Sequence, residues 1–393
     1  MNPCGKVWGT AVGAWLLGFL FVFGASPPTD SSRGQVTPGE PALVIGVGGD
    51  VLPESSWLGP QGAEHFLDGM RSEFARVDLV FLNLEEPVTR STQATSFKSA
   101  ADVAAGRDYI LRARNPAIPR YLQDAGVGLV GLANNHMMDY GVAGLRDTLR
   151  GFREIGLPVV GAGFKLDAER AYIFEMSGRR VALLAFSDVV PRSYGATESH
   201  LGIASSKTDS DLVNAIRRAR RDSDHVVLMI HWGGQGNHLI TPRQRHLGRV
   251  AAEAGCDVVV GMHPHVLQAA EFFGSVPVLY SIGNFAFAAR RPAARESVFV
   301  RLVFGAQKLE ATELVPVEIS ARGEPQVAAG VRGEEILRHF DGFCRMFNTR
   351  ISNGKLIRSQ PREALVYDEE KVRRARGART GATRRGRPTG TRR

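Results

Sequence analysis

The sequence predicts an α/β protein in which apolar strands alternate with amphipathic helices and end in polar residues. Short runs rich in Val, Ile and Leu recur along the 393 residues, and segments with a period near 3.6 lie between them. Several of the apolar runs are followed within three residues by Asp, Asn or His. Because the carboxyl ends of parallel strands lie along one edge of an α/β sheet, we expect these side chains to converge there.

The individual elements follow from local patterns along the chain. Strands are predicted where apolar runs are bounded by turn residues, namely over 41–47, 79–82, 127–132, 159–161, 171–176, 180–186, 225–230, 257–260, 276–282, 297–304 and 309–319. Helices are predicted where apolar residues repeat with a helical period, namely over 61–76, 116–125, 142–155, 209–221, 242–254 and 334–346.

The basic character of the chain is concentrated at its C-terminus. Residues 371–393 contain nine Arg and one Lys without an acid, so subtracting these ten cations from the net charge of +9 leaves −1. We expect 369–393 to be a disordered Arg-rich tail that meets an anionic polymer or anionic lipid, if it meets anything. The near-neutral body gives no reason to expect a nucleic-acid partner.

The N-terminus resembles an export segment. Lys6 precedes an uncharged apolar stretch over 7–23, and a Gly-, Ser- and Pro-rich linker follows to residue 40. This pattern predicts an extracytoplasmic body, either anchored in the membrane by 7–23 or secreted after signal cleavage. The predicted organisation is therefore a signal or anchor with linker over 1–40, a main domain over 41–325, a helical extension over 326–368 and the tail.

One strand end carries an unusual density of polar groups. Asn134, Asn135, His136 and Asp139 lie between the strand 127–132 and the helix that follows. Asn and Asp favour turns on their own account, so the stretch alone is compatible with a simple polar turn. The recurrence of polar residues at the other strand ends favours a chemical role.

Taken together, the strand ends carry the ligand types of a divalent metal site. Carboxylates, carboxamides and imidazoles suit Mn, Fe or Zn, and the three cysteines form no metal-binding pattern. A pair of metals could stabilise the attacking and leaving oxygens of a phosphoryl group, with His136 free to act as general acid. The side chains concerned are Asp50, Asn83, Glu85, Asn135, His136, His231, His263 and His265.

A set of ordered motifs makes the resemblance to a family specific. The motifs are Gly49-Asp50, Asn83-Leu84-Glu85-x-Pro87, Ala133-Asn134-Asn135-His136-x-x-Asp139-Tyr140-Gly141, His231-Trp232-Gly233, His263-Pro264-His265-Val266-x-Gln268 and Tyr280-Ser281-x-Gly283-Asn284-Phe285. Over residues 43–290 they resemble the CapA family of capsule or poly-γ-glutamate synthesis proteins, which is similar to the calcineurin-like metallophosphoesterases. The resemblance implies two stacked mixed β-sheets flanked by helices, an α/β/β/α sandwich, and usually an N-terminal membrane anchor.

The resemblance also implies roles for individual side chains. Asp50 and His265 would bind a first metal, Glu85 would bridge, and Asn135, His231 and His263 would bind a second. His136 would act beside the leaving group, and the pocket would include Asn83, Asn134, Asp139, Gln235 and Asn284.

Two positions depart from the related patterns. Leu52 stands where the phosphoesterases carry a histidine, which removes one imidazole from the first metal position. Gln235 stands where CapA relatives often carry Glu, which removes a negative charge.

The sequence is compatible with three functions. The first is a role in synthesis or export of an extracellular polyanion such as a poly-γ-glutamate capsule, within a membrane-associated synthesis machinery. The second is an extracytoplasmic metal-dependent hydrolase acting on phosphoester or related bonds. The third is a polymer-binding module that keeps a vestigial metal pocket.

Overall fold

A computed structural model describes residues 42–54 and 63–359. Its strands are β1 (Leu43–Val51), β2 (Leu79–Leu84), β3 (Leu129–Gly131), β4 (Val159–Val160), β5 (Ala162–Gly163), β6 (Tyr172–Met176), β7 (Arg179–Ser187), β8 (Gly202–Ile203), β9 (His225–His231), β10 (Val258–Met262), β11 (Ala270–Phe273), β12 (Val276–Leu279), β13 (Asn284–Ala286), β14 (Glu296–Phe304), β15 (Leu309–Ile319), β16 (Pro325–Val327), β17 (Thr349–Ser352) and β18 (Lys355–Arg358). Its α-helices are α1 (Arg71–Phe74), α2 (Ala100–Ala104), α3 (Ile118–Asp124), α4 (Gly141–Ile155), α5 (Lys165–Ala168), α6 (Asp209–Asp222), α7 (Pro242–Ala254) and α8 (Gly330–Cys344).

Two mixed sheets carry the fold. The larger has ten strands with the main order β17-β18-β15-β14-β1-β2-β3-β4, and β13 and β16 pair with β1 and β15. The smaller has six strands in the order β11-β12-β10-β9-β7-β6. The strands that carry the predicted site are parallel neighbours, β1 to β3 in the larger sheet and β9 and β10 in the smaller.

The core shows that the sheets are stacked between helices. Ile45 and Phe81 of the larger sheet share one buried cluster with Leu183 of the smaller sheet and with Ile216 of α6. The opposite face of the larger sheet packs in a second cluster that includes Phe152 of α4. Alternate residues of the central strands of the larger sheet therefore face different apolar layers, as continuous apolar runs predict. The expected α/β/β/α arrangement of two mixed sheets flanked by helices is confirmed.

The helix predicted over 61–76 is wrong over most of its length. Residues 61 and 62 lie outside the described part of the chain, and beyond them only a 3₁₀ turn, Asp68–Met70, and the short helix α1 form. The apolar residues Phe66 and Met70 are nevertheless buried. The apolar periodicity thus marked buried positions without a continuous helix. Gly69 weakens the helix, and it lies so close to the Pro325 carbonyl oxygen that a Cβ would overlap it.

Other differences lie near the edges of the sheets. The strand predicted over 276–282 ends at Leu279, because the chain turns before β13 and Gly283 has a φ of 81°. The sequence did not indicate β11, which pairs with β12, or the hairpin β17–β18, which follows α8 and joins the larger sheet.

The predictions for the two ends of the chain lie outside the described residues. They concern the anchor or signal over 7–23, its linker to residue 40 and the tail over 369–393. Among the helices of the described part, none has the length and apolar character needed to span a bilayer.

Candidate metal centre

The polar strand ends lie together, but two sheets supply them. Asp50 is near the end of β1 and Glu85 follows β2, both in the larger sheet. His231 is the last residue of β9, and His263 directly follows β10 in the smaller sheet. The expectation that these residues share the edge of one sheet is therefore corrected, since the cluster forms where the strand ends of two stacked sheets meet.

Glu85 lies at the centre of the cluster. Its Oε1 atom is 3.4 Å from Nε2 of His231 and 3.8 Å from Nε2 of His265. The ligand atoms of Asp50, Glu85 and His265 lie within 4.8 Å of one another, and the same holds for Glu85, His231 and His263. Glu85 thus belongs to two possible ligand sets, which is the position of a bridging ligand.

Asn135 joins the second set through its amide oxygen. Its Oδ1 atom is 2.8 Å from Nε2 of His231, and Nδ1 of His263 is 2.9 Å from the same nitrogen. Three atoms able to donate lone pairs to a metal therefore converge beside Glu85.

The first set is oriented by surrounding hydrogen bonds. Asp50 accepts hydrogen bonds from the Asn83 amide at 2.8 Å and from the backbone N–H of His263 at 3.1 Å. Nδ1 of His265 lies 2.8 Å from the Oδ1 atom of Asn284. When this nitrogen donates to Asn284, Nε2 of His265 remains as the metal-binding atom.

The unsatisfied atoms of the cluster fit divalent cations. Among the described residues, neither carboxylate oxygen of Glu85 has a hydrogen-bond partner, and neither does Nδ1 of His231. The exposed fraction of Glu85 is 0%. A buried carboxylate without hydrogen bonds is costly unless it lies beside a cation or coordinates a metal. The donor set of carboxylate, imidazole and carboxamide fits Mn, Fe or Zn.

The pKa shifts within the metal-free cluster indicate the same preference for positive charge. Burial raises the pKa of Asp50, but the hydrogen bond with His265 and the charges of His231 and His265 outweigh burial and lower it. Burial lowers the pKa of His265, whereas the charge of Glu85 and the hydrogen bond with Asp50 raise it to about 9. Burial and the neighbouring imidazoles hold the pKa of His263 well below its ordinary value. One protonated imidazole therefore compensates the buried carboxylates.

The backbone around Pro264 brings two imidazoles to this centre. His263 and His265 have φ angles of 93° and 58°, in the left-handed region that side-chain-bearing residues rarely adopt. Their ring centroids are 5.7 Å apart. Strained backbone of this kind is typical of functional sites, and here it lets both rings reach Glu85.

Gly49 allows two of the sequence motifs to meet. Asp50 of β1 is directly opposite Asn284 of β13. A Cβ at position 49 would overlap the carbonyl oxygen of Gly283, so glycine is needed for this approach. The Gly-Asp and Gly-Asn motifs are therefore two halves of one strand contact.

His136 is held beside the cluster through one ring nitrogen. Its Nδ1 atom is 2.7 Å from Oδ2 of Asp139, which leaves Nε2 for the cleft that His136 lines. The Oδ1 atom of Asn134 accepts the backbone N–H groups of His136 and Met137, and its amide nitrogen donates to the Leu84 carbonyl. Asn134 thus builds the polar turn, while its neighbours project toward the candidate centre.

A cleft of about 910 Å³ opens over these side chains. Glu85, His136 and His265 line it together with residues 109–112 and 287–291. This volume is in the upper part of the range of about 300–1,000 Å³ for small-molecule sites. The cleft can therefore accommodate a substrate with several functional groups.

Charged side chains of both signs line the same cleft. Arg112 belongs to the lining segment 109–112, and Arg290 and Arg291 belong to the lining segment 287–291. Glu54 and Glu86 also contribute, and the Glu54 backbone N–H donates to the Glu86 carboxylate at 2.7 Å. Burial and the nearby carboxylates raise the pKa of Glu86 to about 8. With Glu86 largely protonated, the arginines dominate the charge that an entering substrate meets.

The two departures from the related patterns also lie in this cleft. Leu52 is buried and lines it, so an apolar side chain stands where the phosphoesterase pattern has an imidazole. Gln235 is exposed and lines it from the segment after β9.

Sequence reasoning missed the groups behind Asp139. Lys98 lies 2.6 Å from Oδ1 of Asp139, and the Tyr194 hydroxyl donates to the same oxygen at 2.9 Å. Both residues come from irregular segments without apolar periodicity, so no local pattern marked them.

The fold and this cluster define an α/β protein with a candidate dinuclear metal centre between two mixed sheets. The family model described as "Bacterial capsule synthesis protein PGA_cap" matches residues 44–289. The chain belongs to this family, which confirms the membership predicted from the motifs.

Individual relatives agree with this assignment. The chain is 30% identical over 299 residues to the PGA biosynthesis protein CapA of Bacillus subtilis (strain 168), covering 75% of this chain and 76% of that protein. It is also 30% identical over 266 residues to the capsule biosynthesis protein CapA of Bacillus anthracis, covering 66% of this chain and 63% of that protein. Among solved structures, it is similar to the NAD nucleotidase of Haemophilus influenzae, with a TM-score of 0.42 and 12% identity over 87% of this chain and 68% of that chain.

Proposed function

We propose that this chain acts in the synthesis or export of an extracellular polyanion of the polyglutamate type, and that its strand-end cluster is a metal-dependent hydrolytic site. The observation that carries the hydrolytic part is the buried Glu85 carboxylate, which is shared by two ligand sets and has no hydrogen-bond partner among the described residues. We place the body outside the cytoplasm, tethered by residues 7–23 or released by signal cleavage.

The chain's own residues divide the chemical work. When bound, divalent ions would supply the positive charge that polarises the scissile bond. Asp50, Glu85 and His265 would hold one ion. Glu85, His231, His263 and Asn135 would hold the other. His136, oriented by Asp139, would donate the proton on Nε2 to the leaving group.

The cleft walls support an anionic substrate. Guanidinium groups bind carboxylates and phosphates with two parallel hydrogen bonds, and Arg112, Arg290 and Arg291 are among the residues that line the cleft. A polyanion lying in the cleft would therefore meet positive charge near the candidate centre. Homologues that bear capsule and PGA biosynthesis names make a polymer of carboxylates the favoured substrate.

A metal-supplemented assay tests the hydrolytic part. We expect the full chain with Mn²⁺ to hydrolyse bis(p-nitrophenyl) phosphate, and we expect a chelator or Asp50→Asn to remove this activity. Glu253→Gln is the matched control, because Glu253 is exposed and pairs across one turn of α7 with Arg249.

The alternative is a polymer-binding module with a vestigial pocket, which the apolar Leu52 favours. That reading predicts retention of the chain on immobilised polyglutamate without turnover or bound metal. Absence of both turnover and metal would overturn the hydrolytic proposal.

A further inference from the structure

A buried lysine outside all of the sequence motifs lies behind His136. The side chain of Lys98 is 2% exposed, and its Nζ atom lies 2.6 Å from Oδ1 of Asp139 and 3.0 Å from Nδ1 of His136. It also donates to the backbone carbonyl of Tyr109 at 2.8 Å. Lysine is almost never this buried unless it is paired, and its partner here is the carboxylate that orients the proposed acid.

Asp139 connects this lysine to two different parts of the site. Its Oδ1 atom faces Lys98 and the Tyr194 hydroxyl, while Oδ2 faces Nδ1 of His136 at 2.7 Å and accepts the backbone N–H of Leu111 at 2.8 Å. Leu111 belongs to the cleft wall 109–112, as does the carbonyl that Lys98 binds. One buried network therefore fixes both the imidazole and the wall.

The same contacts determine which nitrogen of His136 carries its proton. Nδ1 is 2.7 Å from Oδ2 of Asp139 and 3.0 Å from Nζ of Lys98, and the ammonium group could only donate to it. A proton on Nδ1 that points to the Asp139 carboxylate satisfies the shorter contact, and Lys98 then donates to Asp139 and to the Tyr109 carbonyl instead. Nε2 is then the atom that gives or takes a proton in the cleft.

We propose that Lys98 is a positioning residue that holds His136 and the cleft wall 109–112 in one arrangement, so that the acid and the wall meet the substrate together. The inference rests on the proposed function only in treating His136 as the acid. Metal binding should not depend on Lys98, because its contacts in the described part of the chain are with groups other than the proposed ligands, namely Asp108, Tyr109, His136, Asp139 and the Tyr194 ring.

Lys98→Met in the full chain tests this role with two kinds of measurement. We expect hydrogen exchange at the Leu111 amide to become at least about tenfold faster, because a charged partner of the network is lost. We expect the rate on an alkyl phosphodiester to fall by about 100-fold, and the rate on an activated p-nitrophenyl ester to fall by less than about threefold, because only a poor leaving group needs the acid. Metal content should stay unchanged.

Lys355→Met is the matched control. It makes the same substitution at an exposed lysine whose ion-pair partner is Glu313, so exchange at Leu111 and the leaving-group dependence should stay as in the wild type. Equal losses of rate on both esters in Lys98→Met would indicate a merely structural role and overturn the proposal.

Measurements without turnover keep the proposal separate from the hydrolytic one. If Lys98→Met does not fold because Asp139 is left charged and unpaired, Lys98→Met/Asp139→Asn removes that charge and is tested by the same exchange experiment. In the metal-free wild type, nitrogen NMR of His136 should show the proton on Nδ1. A proton on Nε2 without one on Nδ1, or unchanged Leu111 exchange in the variants, overturns the role of Lys98 even if the chain hydrolyses esters, whereas a wild type without turnover counts only against the proposed function.

Discussion

Replacing Glu85 with glutamine removes the charge shared by both ligand sets with almost no change in volume. A divalent ion present at about 100 times its Kd stabilises a folded protein by about 2.7 kcal/mol. One kcal/mol shifts the melting temperature of a domain of this size class by about 2–4 °C. We therefore expect Mn²⁺ to raise the Tm of the wild type by roughly 5–10 °C, and that of Glu85→Gln by less than about 2 °C.

The assay is thermal unfolding of the full chain with Mn²⁺ and with a chelator. Glu253→Gln again serves as the control, because it removes a carboxylate charge on the exposed face of α7 and should keep the full response to Mn²⁺. An Mn²⁺-dependent rise in Tm that is as large in Glu85→Gln as in the wild type would refute the bridging role.

Three further predictions concern His265, the Asn135-His136 stretch and the C-terminal tail. Burial lowers the pKa of His265, but Glu85 and Asp50 raise it from an ordinary 6.5 to about 9. The imidazolium therefore stabilises the metal-free fold below pH 6.5, and this contribution is lost as the pH rises through about 9. In urea unfolding, His265→Gln should destabilise the metal-free protein at about pH 6 and have little effect at about pH 10. His136→Ala should abolish hydrolysis of an alkyl phosphodiester with metal content nearly intact, whereas Asn135→Ala should lower metal content; if both leave activity and metal untouched, the stretch is a structural turn. Deleting 371–393 should weaken retention on polyglutamate at low salt and have little effect at high salt, since exposed charges are screened; unchanged retention at low salt would dismiss a role for the tail.

The candidate centre was predictable because its residues obey a rule of chain direction. Parallel strands bring their carboxyl ends to one side of a sheet, so Asp50 and Glu85 of the larger sheet could be grouped although they are apart in sequence. The approach of His231 depends in addition on the stacking of the smaller sheet on the larger one. The positive φ angles at His263 and His265, by contrast, were not predicted from the sequence and became evident only in the structure.

The wrong helix prediction and the missed lysine both depend on long-range contacts, which apolar periodicity does not reflect. Apolar spacing over 61–76 marked buried residues correctly, but the close approach of Gly69 to Pro325 set the local backbone. Lys98 reaches Asp139 from a segment without regular pattern, and its burial follows only from the folded arrangement of the cleft wall. Such long-range polar contacts are set by the three-dimensional fold and leave no local pattern in the sequence.

Elemental analysis of the full chain tests the central claim most directly. The wild type, equilibrated with Mn²⁺ or Zn²⁺ and freed of unbound metal, should retain about two divalent ions per chain, as expected for a bridged pair. Glu85→Gln should retain about one or none, because both ligand sets lose a shared member. A wild-type chain that retains no divalent ion would contradict the assignment of this strand-end cluster as a metal centre.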